Sequence, residues 1–411
     1  MPGYDVPSFV NDMFGLVHQT NIFESTPNKI TVLKDSQNYQ VEMNEIYKFY
    51  CEMVGFDPSD LKTKSAPELV PTFPTDAFKK YFPNGEISPL PKMMLTVPEY
   101  ALKLTLDEQS RFYESSATSG NPSLIGLTQE DFDIVGESYG NVLRALVGEK
   151  NLDNLLFFNP ELRYIPKSYA VPVQQKYTQM SREYHWVLKP GEKGMDLDIN
   201  LVVGKMNESE QTHKSILFGP SVPLMYRTFK TLGQRKKWNL KEGFIMCGTG
   251  GWDGKKGSIQ VDPIKKEDFV KSVSEITGIP ISREWDSFGT TETKINFPGH
   301  YSEGIKDFVF HTPEAYTDVF VRRPSDNEIL GVGKEGVLNI VTPLAFGHAG
   351  TGSIVVDDWV KLLSDDGCDE CGRKGKTWQY IRRAIKSEKT GCAMVALEKL
   401  SEVAKNLVSG D

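Results

Sequence analysis

The segment TQEDFDIVGESYGNVLRALVG (128–148) is followed along the chain by two short apolar runs, DNLLFFN (153–159) and HKSILFGP (213–220). The first segment has apolar residues at the spacing of an amphipathic helix, whereas the two runs have the length of buried strands. EDFVKSVSEITG (267–278) again has the helical spacing, and the strand-like PISREWDSFG (280–289) follows it. Because alternating helices and strands are typical of α/β layers, we predict a layered α/β fold.

The segments on either side of this stretch differ from it. Toward the N-terminus, helical periodicity in NEIYKFYCEMVGF (44–56) is mixed with proline-punctuated sequence such as PELVPTFPTDAFKKYFP (67–83), which predicts an irregular helical cap. Toward the C-terminus, three strand-like runs are separated by Gly, Pro and Asp turns, which predicts a β-rich subdomain. These runs are FVFHTPEAYTDVFVRRP (308–324), GVLNIVTPLA (336–345) and GSIVVDDWVKLL (352–363).

Length and patterning together predict three regions in the 411 residues. We expect a helical N-terminal cap over residues 1–105, an α/β core over residues 106–358 and a short C-terminal appendage over residues 359–411. The last region is too short for a further domain of ordinary size.

The composition excludes several classes of function. With 47 Lys and Arg against 55 Asp and Glu, the formal net charge is −8, whereas proteins that bind a nucleic-acid backbone are usually basic. The sequence has no run of about 18 uncharged apolar residues, and its N-terminus lacks the basic and apolar regions of a signal peptide. We therefore expect a cytoplasmic protein that binds no nucleic acid and does not span a membrane.

A hydroxyl-rich segment is the first candidate binding site. Residues 115–123 read Ser-Ser-Ala-Thr-Ser-Gly-Asn-Pro-Ser, and the backbone N–H groups and hydroxyls of such a turn can surround phosphate oxygens. The segment does not match the G-x-x-x-x-G-K-[ST] phosphate loop of nucleotide hydrolases. A plain solvated loop is the alternative interpretation.

A second candidate is the sequence Phe288-Gly289-Thr290-Thr291-Glu292, which ends a strand-like run. The Glu292 carboxylate offers the hard oxygen ligand that Mg2+ prefers, next to a glycine that permits close backbone approach. The alternative is a helix N-cap, with Thr290 or Thr291 as the capping residue and Glu292 favoured by the helix dipole.

Two further segments are suited to a nucleoside. Cys247-Gly248-Thr249-Gly250-Gly251-Trp252 is a glycine-dense turn against which a flat ring could lie. Asp357 and Asp358 stand at the end of the strand-like GSIVV, where a carboxylate could accept both hydroxyls of a ribose. A simple turn is the alternative at that position.

These four segments occur in an order that resembles the adenylate-forming superfamily, whose members couple a carboxylate to ATP as an acyl-AMP. Four phrases are similar to the acyl-protein synthetase (LuxE-type) family within it, a relative of the phenylacetate-CoA ligases. They are ILFGPSVPL (216–224), CGTGGWDGKKG (247–257), EGVLNIVTPLAFGHAGTGSIVVDD (335–358) and TGCAMVALEKL (390–400). The resemblance implies the layered N-terminal domain of adenylate-forming enzymes, with a helical cap, a β-rich subdomain and a truncated C-terminal appendage.

The resemblance also implies roles for individual residues. Glu292 would hold Mg2+, with Thr291 near the α-phosphate. Asp358 would bind the ribose, and Arg383 would match the downstream catalytic arginine of the family. The implied loop around the pyrophosphate end of ATP comprises Ser115, Ser116, Thr118, Ser119 and Gly120. The implied border of the adenine comprises Thr249, Gly250 and Gly251.

Two departures from the family pattern concern the nucleotide. Ala117 stands where the family loop usually has glycine. Longer members also carry a C-terminal lid whose lysine reaches the adenylate, and the 411 residues do not accommodate it. Lys386 and Lys389 lie in the remaining tail, and neither is assigned that role.

Cys392 is the candidate acyl acceptor. In acyl-protein synthetases the activated acyl group passes to a cysteine in a Gly-Cys step near the C-terminus, which Gly391-Cys392 matches. Positive charge on Arg382, Arg383, Lys386 and Lys389 would favour the thiolate. A small buried cysteine on a terminal helix is the alternative.

Five cysteines, at 51, 247, 368, 371 and 392, do not form a disulfide pattern. Cys368-x-x-Cys371 is half of a zinc site, which Cys247 or a histidine would have to complete, and an unmetallated turn is favoured. The six histidines show no paired spacing.

The sequence therefore predicts a ligase that uses ATP and Mg2+ to activate a fatty or aryl carboxylic acid as acyl-AMP. The acyl group would then pass to Cys392 and onward to an acyl reductase or a carrier protein. An acyl- or aryl-CoA ligase that uses CoA, or an acyl-carrier-protein ligase, is the alternative within the enzyme class. A non-catalytic binding partner of a reductase or carrier protein is the second alternative, suggested by Ala117 and the shortened lid.

Overall fold

A computed structural model of the chain describes residues 7–63, 66–78, 111–114, 123–148, 151–192, 194–248, 250–256, 259–260, 262–345, 347 and 352–384. The chain forms two compact units, and each unit is built from separate stretches. The first unit comprises Met1–Ser138, Thr290–Ile295 and His311–Asp411. The second comprises Tyr139–Gly289 and Asn296–Phe310.

The described residues contain eight α-helices and five short 3-10 helices. The α-helices are α1 (Phe9–Val17), α2 (Pro27–Met43), α3 (Glu45–Val54), α4 (Gln129–Val147), α5 (Ala170–Gln179), α6 (Ile199–Thr212), α7 (Val222–Gly233) and α8 (Lys266–Thr277). The 3-10 helices are Pro58–Asp60, Ala66–Leu69, Thr75–Phe78, Leu162–Tyr164 and Ile281–Arg283. None of these helices is both long enough and apolar enough to cross a membrane.

Eighteen strands lie in the described part of the chain. The first nine are β1 (Phe73–Pro74), β2 (Arg111–Glu114), β3 (Leu124–Leu127), β4 (Leu152–Pro160), β5 (Ser181–Gly191), β6 (Gly194–Leu197), β7 (Ile216–Gly219), β8 (Gly243–Met246) and β9 (Lys255–Lys256). The others are β10 (Ile259–Gln260), β11 (Glu284–Gly289), β12 (Asn296–Ser302), β13 (Asp307–His311), β14 (Asp318–Arg322), β15 (Ile329–Leu330), β16 (Glu335–Val341), β17 (Ser353–Ser364) and β18 (Thr377–Arg383).

The second unit contains a mainly parallel sheet. Its strands follow the order β6-β5-β4-β7-β8-β11-β12-β13. The neighbours from β5 to β11 are parallel, and α5 to α8 lie between them along the chain. Residues 155–158 of β4 and 216–219 of β7 are buried without alternation, as expected for strands covered on both faces. The predicted α/β layers are therefore confirmed.

The first unit is rich in antiparallel strands. They follow the order β15-β14-β16-β17-β18, and β1 pairs in parallel with β17. The helices α1 to α3 precede them along the chain, so the predicted N-terminal helices and β-rich region are both present. The buried apolar cluster of this unit consists of Leu33, Leu61, Ala66, Val70, Phe320 and Val341.

Most predicted elements agree with the structure to within a few residues. The helix predicted over 128–148 is α4, and the strand predicted over 153–159 is β4. One detail was wrong, because Asp358 does not stand at a strand end. β17 continues through Asp358 to Ser364, since alternate residues of the strand remain buried along this length.

Candidate active site

Thr291 and Glu292 lie in a turn that follows β11 and precedes β12. Residues 291–293 form this turn, and no helix begins there, so the helix N-cap interpretation of Thr290 or Thr291 is wrong. Both Thr291 and Glu292 are buried, with exposed fractions of 6% and 4%. Burial of a carboxylate is costly unless a partner compensates its charge. The turn is therefore a place where a cationic partner would be stabilised.

Lys294 anchors this turn. Its backbone is left-handed, with a φ of 63°, which is uncommon for a residue with a side chain. The buried ammonium donates to the carboxylate of Asp131, and to the backbone carbonyl of Leu344 at 3.3 Å. The hydroxyls of Thr290 and Thr293 lie 2.6 Å apart and close the turn from within. The turn is thus held at both ends by polar contacts.

Asp131 is itself held by the start of α4. The Thr128 backbone N–H and hydroxyl both donate to its Oδ2, each at 3.2 Å. The Asp131 backbone N–H lies 3.4 Å from the Thr128 hydroxyl oxygen, so the two residues form a capping box. One carboxylate therefore caps α4 and pairs with Lys294, which joins the helix start to the Glu292 turn.

Asp358 and Arg383 form a cross-strand pair. They stand opposite each other on the antiparallel strands β17 and β18. The Nη1 of Arg383 donates to both carboxylate oxygens of Asp358, at 3.0 Å and 3.1 Å. Asp358 is buried, while about half of the Arg383 side chain is exposed. The pair thus fixes the carboxylate and leaves part of the guanidinium accessible.

The electrostatics of Asp358 show that Glu292 lies near it. The pKa of Asp358 is raised to about 6, mainly by burial and to a smaller extent by the negative charges of Asp357 and Glu292, against the opposing effect of Arg383. Asp357, Asp358 and Glu292 are therefore close enough to interact electrostatically, beside the Arg383 guanidinium. Carboxylates gathered in this way favour the binding of a cation.

The glycine-dense turn lies in the second unit. Gly250 and Gly251 have φ values of 86° and 89°, a backbone conformation that favours glycine. A Cβ built on Gly250 would meet no atom within 4 Å, so the turn leaves open space beside the backbone. The Trp252 Nε1 donates to Asp286 at 3.0 Å and fixes the far side of the turn. A role of this turn beside the adenine stays a prediction.

Several predicted site residues lie outside the described residues. The described strands β2 and β3 pair with each other on either side of the hydroxyl-rich segment, with Glu114 opposite Leu124. The predicted residues that are not described are Ser115, Ser116, Thr118, Ser119, Gly120, Thr249 and Cys392. Their roles stay predictions.

The structure adds two residues that sequence analysis missed, Asp131 and Lys294. The sequence does contain one usable signal, because Thr128 and Asp131 have the spacing of a capping box at the start of a helical pattern. Nothing in the sequence indicates that Lys294 pairs with Asp131, which lies 163 positions away.

The family model for the LuxE acyl-protein synthetases matches residues 24–401. A comparison with curated proteins found no match. Among solved structures, the fold is similar to 2-hydroxyisobutyryl-CoA ligase in the postadenylation state with R3-HIB-AMP. The TM-score is 0.58 and the identity 13%, over 86% of this chain and 66% of that chain.

The same ligase in complex with 2-HIB-AMP and CoA, in the thioesterification state, gives a TM-score of 0.58 at 12% identity, over 89% of this chain and 70% of that one. The chain thus spans 66% of the length of the ligase in the first structure and 70% in the second. At this identity the likeness shows the fold. Because the family model matches nearly the whole chain, this chain belongs to the LuxE acyl-protein synthetase family.

Proposed function

We propose that this enzyme activates a carboxylic acid with ATP and passes the acyl group to the thiol of Cys392. In the first step, a carboxylate oxygen bonds to the α-phosphorus of ATP, the bond from that phosphorus to the bridging oxygen breaks, and pyrophosphate leaves. In the second step, the thiolate sulfur bonds to the acyl carbon, and AMP leaves with the electron pair of the broken carbon–oxygen bond. The gathering of Glu292, Asp358 and Arg383 is the observation that carries the proposal.

Asp358 and Arg383 are suited to the nucleoside and its phosphate. The Asp358 carboxylate has two acceptor oxygens for the two hydroxyls of a ribose. Arg383 uses one nitrogen to hold that carboxylate, and a guanidinium has five N–H donors. Because the side chain is half exposed, we expect its other donors to contact a phosphate oxygen of a bound adenylate.

Glu292 fits a magnesium ion. It is a buried carboxylate in a region that also contains Asp357 and Asp358, and Mg2+ takes hard oxygen ligands of this type. Bound magnesium would neutralise part of the phosphate charge that grows during adenylate formation. Lys294 keeps the turn in place, and we expect the hydroxyl of Thr291, beside Glu292, to contact the α-phosphate.

The proposal also names the class of carboxylic acid and the acceptor of the acyl group. Family membership supports a fatty acid, and an aryl acid is the other substrate class for this site. Cys392 is supported by the Gly391-Cys392 step, and an acyl reductase or a carrier protein would receive the acyl group from it. CoA is the alternative acceptor, supported at the level of the fold by the similarity to a CoA ligase.

The experiment that tests this function measures pyrophosphate release from ATP and magnesium with a panel of fatty and aryl acids. We expect release with at least one acid, and a loss of about 100-fold or more in Glu292→Gln, since that variant removes a charged ligand at the site of phosphoryl chemistry. Lys189→Met, which removes an exposed ammonium from an ion pair with Asp198, is the control and should keep full activity. Full activity of Glu292→Gln would remove the magnesium assignment.

The acceptor is tested by mass spectrometry after incubation with ATP and the active acid. We expect an ATP-dependent acyl adduct, labile to hydroxylamine, on Cys392 and none in Cys392→Ser. Cys51→Ala is the matched control, because Cys51 is a buried cysteine in the first unit that no step uses. A Cys392→Ser enzyme that forms acyl-CoA at the wild-type rate would show that CoA, and not Cys392, is the acceptor.

A further inference from the structure

Three metal-binding side chains of the first unit come together at one place. Cys368 and Cys371 lie in the loop between β17 and β18, and His311 is the last residue of β13. Their ligand atoms all lie within 4.8 Å of one another. The Cys371 Sγ and the His311 Nε2 are 3.5 Å apart. Two thiols and an imidazole are the ligand types that zinc prefers in proteins.

The loop backbone turns both cysteines toward one point. The Gly372 N–H donates to the Cys368 carbonyl at 2.8 Å, and the Cys368 N–H donates to the Arg373 carbonyl at 2.9 Å. Gly372 has a φ of 72°, so the turn after Cys371 requires a residue that tolerates left-handed backbone. The backbone N–H groups of Cys371 and Glu370 donate to the Cys368 sulfur and help to fix its position.

His311 is held against this loop by its neighbours. The imidazole is fully buried and contacts the Phe23 ring edge-on, with centroids 5.8 Å apart. The Thr312 N–H donates to the Lys376 carbonyl at 3.0 Å, and the Lys376 N–H donates to the Glu314 carboxylate at 2.9 Å. These bonds join the end of the cysteine loop to the segment after His311. The three ligands are therefore in fixed positions.

We propose that Cys368, Cys371 and His311 bind one zinc ion. With Zn–S distances of about 2.3 Å and Zn–N distances of about 2.0–2.1 Å, a tetrahedral ion separates a sulfur and a nitrogen ligand by roughly 3.6 Å. The observed separation between the Cys371 sulfur and the His311 nitrogen is 3.5 Å, so the residues need little movement to bind the ion. The two cysteines are partly exposed, which gives the ion a path to the site.

The position of this site suggests a structural role, separate from the proposed adenylation. The loop that carries both cysteines closes the hairpin of β17 and β18, the two strands that position Asp358 and Arg383. An ion bound to the loop and to His311 would tie the closed end of that hairpin to the segment of the first unit that begins at His311. Zinc bound in this way contributes its binding energy to folding.

The test uses the full chain, purified without chelators, with zinc measured by inductively coupled plasma mass spectrometry. We expect one zinc per chain, and a loss of about ten-fold or more in Cys368→Ser, in Cys371→Ser and in His311→Ala. Cys51→Ala is the matched control and should keep its zinc, because Cys51 is a buried thiol outside the cluster. Zinc retained in full by Cys368→Ser would overturn the proposal.

A second measurement on the wild-type chain keeps the proposal falsifiable if the variants do not fold. Replacement of the ion with Co2+ should give the intense near-ultraviolet absorption of cobalt thiolates, and a strong zinc chelator should expose two additional reactive thiols. If the chain binds neither Zn2+ nor Co2+ and shows no cobalt-thiolate absorption, Cys371 and His311 form only an N–H···S hydrogen bond, and the proposal is wrong. A Cys368–Cys371 disulfide in the freshly purified protein would also overturn it.

Discussion

At the scale of single residues, the raised pKa of the Asp358 carboxyl group makes the stability of the protein depend on pH. Its pKa is raised from 3.8 to about 6, first by burial and then by Asp357 and Glu292. Between these two values the folded chain binds more protons than the unfolded chain. The free energy of unfolding therefore falls as the pH rises from about 4 to about 6, and the total loss is about 3 kcal/mol for a shift of this size.

We predict that Asp358→Asn removes this dependence, because an amide does not titrate. The measurement is chemical unfolding of both proteins at several values between pH 4 and pH 7. The wild-type midpoint should fall relative to the variant midpoint over this range and then stay level above it. Parallel pH curves for the two proteins would mean that Asp358 ionises in the folded state at its ordinary pKa.

Glu292 and Asp358 could be predicted from the sequence because each stands beside a recognisable local pattern. Glu292 follows a glycine and two threonines, and Asp358 lies at the end of a β-branched run. Lys294 has no such signal, because a lysine in a polar turn is normally exposed. Its burial depends on Asp131, a residue distant in sequence, so only the folded chain reveals it.

At the scale of elements, the contact of the Glu292 turn with α4 depends on one ion pair. The side chains of Lys294 and Asp131 have exposed fractions of 2% and 0%. We predict that Lys294→Met destabilises the protein by about 3–5 kcal/mol, because it leaves a buried carboxylate without its cation. The double variant Lys294→Met with Asp131→Asn should recover part of this loss, since it removes both charges.

Thermal unfolding of the two single variants and the double variant gives the coupling energy of the pair. Lys189→Met is the matched control, since its partner Asp198 forms an ion pair in which the lysine is 59% exposed. That variant should lose at most about 1 kcal/mol. Equal effects of Lys294→Met and Lys189→Met would contradict a structural role for the buried pair.

At the scale of the whole molecule, local patterns predicted the element types better than their grouping. The alternation of helix-like and strand-like segments predicted the α/β layers, because each strand of the second unit is buried by elements that are near it in sequence. Which segments make up the first unit depends on strand pairings between residues that are distant in sequence, such as Phe73 with Ile354. The periodicity within one segment does not indicate these pairings. The boundaries predicted at residues 105 and 358 stay predictions.

The division into two units leads to a prediction about where the proposed zinc acts. All three proposed ligands belong to the first unit, so removal of the ion should loosen the hairpin of β17 and β18 by local opening. We predict that amide hydrogen exchange in peptides covering residues 353–383 becomes at least about ten-fold faster with a strong zinc chelator, which corresponds to about 1.4 kcal/mol of local stability.

Peptides from β4, β7 and β8 serve as the internal control, because these strands belong to the second unit and carry none of the three ligands. Their exchange should not change when the chelator is added. Faster exchange along the whole chain would mean that the ion stabilises global folding and not one hairpin. If one zinc has been removed from the chain and amide exchange in residues 353–383 does not change, the ion does not support the strands that carry Asp358 and Arg383.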